Sequence, residues 1–445
     1  MEITLDKKSN TEGLIKIKLT EGDYQPIVEE KVKDFAKKAN IKGFRPGKVP
    51  PGVIRRMYGK SILVEEINQL LSDKISDYIR ENKIKILGDP LPNQEKSMAI
   101  DWDAQKDFEF EYQIGFIEDF TYDLSDKVKI KAYKIEISDK DVDSTIENMT
   151  YRYGTETEPD TSEDGDLLEG LLEHPGSDFR REKARVVIGN VEKKEKKKFI
   201  GISAGATVEF DIDKAFPDSD HKRQLVGHAE ADTVTGPVRF AVERITRVVP
   251  AAIDQELFDK IFGKDAVKDE EAFRTRVRES LAEEYNREAK QFTHHLIEDY
   301  YIKNTKVELP DEFLKTWLKR SAPDITDDLL ENEFKAYRRQ LLWDLIKNRI
   351  GEDNEIKLEE AEVLERAKQV IAAQFGGQAI IDQLGDRMDA IAVNYLTNNE
   401  GENYRRLSRQ LFEEKVMEFI TSKIKISQKA VSIDEFSKLV REHTH

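Results

Sequence analysis

From Asp254 onward the chain carries apolar residues at helical spacing almost without interruption, and that run commits it to a large all-α part. Phe273, Val277, Leu281, Tyr285, Ala289, Phe292, Leu296 and Tyr300 recur every three or four residues. They fall on one face of a helix that exceeds roughly 25 residues, where ordinary globular helices run about 8–20. Such a length reads as a projecting arm. Further stripes follow at Leu329–Leu345, Leu364–Phe375, Leu384–Tyr395 and Leu407–Phe419, with Gly351, Gly376, Gly377 and Gly401 read as breaks between them. Most of these faces should pack on one another. Long arms on a modest helical body should still leave apolar surface accessible, and patches ringed by charge suit weak binding of unfolded chains. Phe313, Trp317, Phe375 and Met388 are the candidates for such contact.

The part before residue 250 reads differently. Ile15, Ile17 and Leu19 alternate as a strand does, Tyr24 to Ala39 follow helical spacing, and Ile62 to Ile79 form a longer helical stripe. Phe108, Phe110, Tyr112 and Ile114 alternate with polar residues, the pattern of a half-buried strand. Residues 1–112 are therefore an α+β domain in which a loop joins two helices on a sheet. Residues 113–152 form a connector that packs with the C-terminal domain, with an extended stretch at Val128–Ala132 and a capping box at Ser138 and Asp141. The acidic stretch Thr155–Asp166 marks a boundary, strand signals dominate from 166 to 249 within a middle domain of 153–249, and 250–445 is the helical domain. The fold class is α+β multidomain: an α+β N-terminal domain, a β-rich middle domain and an elongated all-α C-terminal body with arms.

Charge singles out the interhelical loop. The net charge is −17, yet residues 1–60 hold 14 Lys/Arg against 8 Asp/Glu. Between Phe35 and Val64 stand eight basic residues and no acidic one, around Gly43-Phe44-Arg45-Pro46-Gly47-Lys48-Val49-Pro50. A Gly/Pro-punctuated loop offering an aromatic ring beside two cations suits docking on an anionic surface. The acidic remainder argues against general nucleic-acid binding. The absence of cysteine removes disulfides and thiolate chemistry. No apolar run approaches the roughly 20 residues of a membrane helix, so a soluble cytoplasmic protein without a membrane role is expected.

Catalytic and metal motifs are not found. Gly59-Lys60-Ser61 is like the end of a phosphate-binding loop, but Ile54 occupies the position that needs glycine. His294 and His295 stand about 100° apart on a helix, poorly placed to share a metal. No cofactor, metal or ATP requirement is expected, and no catalytic residue is named.

The loop Gly43–Pro50 resembles the ribosome-docking signature of bacterial trigger factor, of the form Gly-Phe-Arg-x-Gly-Lys-x-Pro. Ile135–Asp143, Ile253–Gly263 and Glu414–Ile420 resemble that family's connector, the entry to its helical domain and its last long helix. The resemblance implies a chaperone docked on the large ribosomal subunit near the polypeptide exit, shielding nascent and unfolded polypeptides. Phe44 would pack on a ribosomal protein. Arg45 and Lys48 would pair with acidic side chains or with rRNA phosphate, rRNA being touched only within this docking. Gly43 and Gly47 would set the turn, and Pro46 would stiffen the loop. Whether the free chain forms a homodimer is left open.

The family also implies an FKBP-like middle domain with peptidyl-prolyl cis-trans isomerase activity, the alternative function. Such a domain twists the prolyl amide in an aromatic-lined apolar pocket. Residues 160–249 hold Phe179, Phe199, Phe210, Phe216 and Phe240 but no Tyr or Trp, and the family's pocket motifs are not found. The domain is expected to be a divergent FKBP-like one. RNA binding through the basic island alone is a third reading, weakened by the single aromatic within the loop.

Overall fold

The alternation of Ile15, Ile17 and Leu19 produces a strand whose inner side chains are wholly buried. In the computed structural model, which describes residues 1–45, 47–322, 324–375 and 384–444, this strand belongs to a four-stranded sheet. Its members are β1 (Glu2–Lys7), β2 (Glu12–Leu19), β3 (Lys85–Pro92) and β4 (Phe108–Ile117), antiparallel in the order β1-β2-β4-β3. Two helices, α1 (Glu21–Lys38) and α2 (Pro51–Glu81), cover it. Val28, Val32 and Ala36 of α1 and Ile54, Ile62, Ile67, Leu71 and Ile75 of α2 share a core with Phe108, Phe110 and Ile114 of β4. The expected loop between two sheet-backed helices is present.

The chain divides into two compact units, residues 1–131 with 292–427, and residues 132–291 with 428–445. The second begins within strand β5 (Lys129–Ile135) and continues into helix α3 (Asp139–Arg152). The capping box expected there forms: the Asp141 N–H donates to Ser138 Oγ at 3.3 Å and the Ser138 N–H to Asp141 Oδ2 at 2.8 Å. Five strands then make one sheet: β6 (Thr155–Thr157), β7 (Leu167–Glu173), β8 (Arg180–Val187), β9 (Thr207–Asp211) and β10 (Pro237–Val249). The order is β6-β10-β7-β8, with β9 also on β10. Helix α4 (Ser219–Val226) joins their core, which gathers Leu168, Leu172, Val186, Phe199, Phe210 and Phe240. Helix α5 (Gln255–Phe262) and the first turns of α6 (Glu270–Asn304) pack on α3 through Leu257, Phe258, Phe273 and Val277. The stripe from Phe273 to Tyr300 is thus one helix of 35 residues.

In the first unit, α7 (Asp311–Ser321), α8 (Asp327–Asp353), α9 (Glu360–Phe375) and α10 (Asp386–Lys423) realise the remaining stripes. Strand β11 (Lys425–Val431), which pairs with β5, and helix α11 (Ile433–Thr444) close the chain order. The break expected at Gly401 is real, because residues 398–401 leave helical geometry inside α10. Gly376 and Gly377 lie outside the described residues. Gly351 is a correction: it does not end a helix but sits buried within α8. A Cβ there would stand 2.4 Å from Cζ of Phe412 on α10, so the glycine lets a ring press against the helix backbone.

That contact makes a test. Gly→Ala in a helix gains about 1 kcal/mol of propensity, but overpacking against a held ring costs about 1–3 kcal/mol. Gly351→Ala should therefore lower the urea midpoint in wild type and raise it in a Phe412→Leu background. The same sign in both backgrounds would show that the ring is not the cause.

Candidate docking and client surfaces

The loop Gly43–Pro50 is shaped by its glycines. Helix α1 ends at Lys38, where the Ala39 N–H donates to the Phe35 carbonyl at 2.8 Å and the backbone turns extended. Two turns follow, closed by Phe44 N–H to Ile41 O at 3.0 Å and Lys48 N–H to Arg45 O at 2.9 Å. The third residue of each is a glycine at positive φ, Gly43 at 97° and Gly47 at 74°, the conformation that a type II turn demands. Gly47 is constrained twice, since a Cβ would also lie 2.9 Å from the Lys37 carbonyl oxygen. Val49 is buried and pins the far end, and Pro50 and Pro51 open α2. Pro46 lies outside the described residues.

Held this way, Phe44 stands 38% exposed, with Arg45 and Lys48 exposed beside it in sequence. Of the island's eight cations, three are neutralised: Lys37 by Asp34, Arg55 by Glu29 and Lys60 by Asp103. Hydrogen bonding to Asp103, and then its charge, raises the Lys60 ammonium above its ordinary range. Lys38, Lys42, Arg45, Lys48 and Arg56 have no ion pair among the described residues. Their charge is free for an external anion.

Sequence reasoning missed the neighbouring aromatics. Phe35, read as part of the buried stripe of α1, is exposed and packs against exposed Tyr58 of α2 with centroids 5.2 Å apart. Ile27, from the same stripe, is also exposed, and so is Met57 next to Tyr58. The signal was available: Val28, Val32 and Ala36 define the buried face at steps of four, and Phe35 stands about 100° off Ala36. This end of the domain is more apolar than the loop alone.

Two of the four client-contact candidates, Phe313 and Met388, need correction. Phe313 is 0% exposed, its ring pressed on β4 where a Cβ at Gly115 would lie 2.4 Å away. Trp317 is half-buried over Gly88 of β3. Met388 is buried between α9 and α10 with Val363, Ala367 and Ala392. These side chains fill interfaces between elements, so burial leaves Phe313 and Met388 no face to offer. The Phe375 side chain lies outside the described residues. Among the described residues, the large apolar side chains that do reach solvent on these helices are Leu329, Ile391, Val393 and Tyr404.

In the middle domain, four of the five phenylalanines are core. Phe199, Phe210, Phe216 and Phe240 are buried, Phe199 edge-on to Phe210 at 4.9 Å and Phe210 to Phe216 at 6.1 Å. Only Phe179 is partly exposed.

Comparison with known proteins finds three family matches along the chain. Residues 1–149 match the family described as bacterial trigger factor protein, 156–250 the probable trigger factor FKBP-like domain, and 291–440 the probable trigger factor C-terminal domain. The trigger factor of Marinobacter nauticus is 22% identical over 98% of both chains. That of Allorhizobium ampelinum is 26% identical over 95% of this chain and 87% of its own. A solved chain from work on promiscuous substrate recognition in folding and assembly activities of the trigger factor chaperone aligns over 95% of this chain, at 14% identity and a TM-score of 0.47. Three family matches, in the order N-terminal, FKBP-like and C-terminal, together cover most of the sequence, and the chain belongs to the trigger factor family.

Proposed function

We propose that this chain is an ATP-independent cytoplasmic chaperone that docks on the large ribosomal subunit near the polypeptide exit and shields emerging or unfolded polypeptides. The observation that carries the reading is the loop itself: two glycine turns hold Phe44 out beside cations that no carboxylate among the described residues neutralises. Phe44 supplies an apolar anchor against a ribosomal protein, and Arg45 and Lys48 meet acidic side chains or rRNA phosphate. Gly43 and Gly47 act on the backbone, setting the angle at which these three emerge. A turn shaped before contact lowers the ordering cost of docking. Client contact falls to Leu329, Ile391, Val393 and Tyr404, dispersed among charged neighbours as weak, promiscuous binding requires.

The test is co-sedimentation with ribosomes. Replacing Phe44, Arg45 and Lys48 together with alanine removes an anchor and two charge contacts, and affinity should fall by about two orders of magnitude. Thermal unfolding should not change, since all three side chains are exposed. Unchanged sedimentation would overturn the docking assignment; binding of naked rRNA as tight as that of whole ribosomes would favour the RNA-binding reading instead. For the isomerase reading, the FKBP-like match speaks in favour, and the burial of four phenylalanines speaks against an aromatic-lined pocket.

A further inference from the structure

A cavity of about 560 Å³ opens in the N-terminal domain, at the C-terminal end of α2, and is within the range of sites that enclose small ligands. The 31 residues of α2 separate it from the Gly43–Pro50 loop by about 46 Å. Its floor depends on Gly13 in β2. A Cβ there would stand 2.9 Å from Leu5 Cδ1 of β1 and 3.4 Å from Phe116 Cε1 of β4, so the glycine lets both side chains lean over the strand between them. Tyr78 of α2 and Ile84 before β3 extend this apolar surface.

Lysines form the rim. Lys83 follows the end of α2 with a left-handed φ of 52°, a place where glycine is the usual occupant. The last turn of α2 already carries a cation in Arg80, so the helix dipole is served without a second one. Lys7 holds its Nζ 5.3 Å from the centroid of the Phe116 ring. Both lysines are exposed, and neither has an ion pair among the described residues. Lys85, by contrast, is engaged by Asp119 at 2.7 Å, and Asp119 also meets Arg349 at 3.4 Å. Glu118 has no ion pair among the described residues either. The free charges of the rim are thus two positive and one negative, a local cationic excess in a chain of net charge −17.

This arrangement selects a ligand. One surplus positive charge matches a head group with a single negative charge. Lys7 sits over the Phe116 ring, which withholds that ring from a flat aromatic ligand. An aliphatic chain needs no such stacking and asks the floor for no hydrogen bonds. We propose that this cavity binds a medium-chain alkyl carboxylate, its head held by Lys7 and Lys83 and its chain laid on Leu5, Tyr78, Ile84 and Phe116. The site stands apart from ribosome docking, and a loop variant that leaves the ribosome should keep it.

The experiment uses the full chain and sodium decanoate below its micellar concentration, with binding read by calorimetry. From hexanoate to decanoate each added CH₂ should tighten binding about fourfold. Lys7→Met keeps an apolar stem and Lys83→Gly suits the left-handed φ, so the double variant should melt no lower than wild type and bind decanoate about tenfold more weakly. Decanol and decyltrimethylammonium, which lack the negative head, should show a similar loss on the wild type. Those comparisons leave the protein untouched, so they decide the matter even if the double variant is destabilised. A diazirine-bearing decanoate, its cross-links mapped by mass spectrometry, should label 5–7, 78–85 and 116–119. Decanol or the ammonium binding as tightly as decanoate, a folded double variant of unchanged affinity, or labelling confined to other regions overturns the proposal.

Discussion

Replacing Gly170 with alanine is expected to unfold the middle domain. Gly170 is buried in β7, which runs between β10 and β8, and it lies opposite Val242 and Ala184. A Cβ there would stand 2.0 Å from the carbonyl oxygen of Ala241, 2.9 Å from its carbon and 3.1 Å from the Glu243 nitrogen. These are backbone atoms in a hydrogen-bonded ladder, so no side chain can rotate out of the way. The approach is close because β10 bulges between Val242 and Arg244, driving its backbone towards β7. To admit one methyl group the two strands must part at the centre of the sheet. β10 also pairs with β6 and β9, so the damage spreads to four strands.

The expected loss exceeds about 3 kcal/mol, which for a domain of roughly 100 residues lowers the melting point by about 12–24 °C. Gly189→Ala is the control. Gly189 is exposed, and an added Cβ meets only a Val187 methyl at 3.9 Å, so its effect should stay within about 0.5 kcal/mol. Hydrogen exchange of 155–249 reads both. Similar protection in the two variants would show that the strands tolerate the insertion.

Gly170 also illustrates what could be read before the structure and what could not. Helices with long apolar stripes were legible because spacing alone defines their buried face, and α6 spans the stripe from Phe273 to Tyr300. β2 and β4 were legible for the same reason at period two. β3 was not: Gly88, Pro90 and Pro92 interrupt it, and its register with β4 slips between Leu87 and Leu91. Gly88 and Gly115 are where Trp317 and Phe313 press against the sheet, partners more than 190 residues away in sequence. Glycine marks a break or a close approach with the same letter, which is why Gly401 was read correctly and Gly351 was not. The glycines of the Gly43–Pro50 loop were readable because their role is local, whereas the fate of Phe313 and Met388 depended on non-local packing.

The acidic stretch Thr155–Asp166, read as a boundary, ends in an anchor, and this sets the pH response of the middle domain. The Asp166 side chain is 3% exposed and meets Arg247 of β10 in two bonds, Nε to Oδ1 and Nη2 to Oδ2, both 2.8 Å. The Glu163 N–H donates to Oδ2 at 2.7 Å. Burial pushes the carboxyl up, but the Arg247 hydrogen bonds and charge, with the Glu163 amide, outweigh it and hold it below the ordinary aspartate range. Arg247 is raised in turn, chiefly by its hydrogen bonds to Asp166. A carboxylate whose folded pKa lies below its unfolded value contributes its full stability above about pH 4, and that contribution disappears as pH falls through the folded pKa. Asp166→Asn removes the charge and leaves Arg247 facing an amide. Because Arg247 is partly exposed, the cost at pH 7 should be about 2–4 kcal/mol, somewhat under that of breaking a fully buried pair. Melting of the middle domain followed from pH 7 to pH 3 should show the wild type losing its advantage over Asp166→Asn as the acid limb is reached. Curves that stay parallel to the lowest pH would mean that the pair does not carry the acid sensitivity and that Asp166 acts only through its shape.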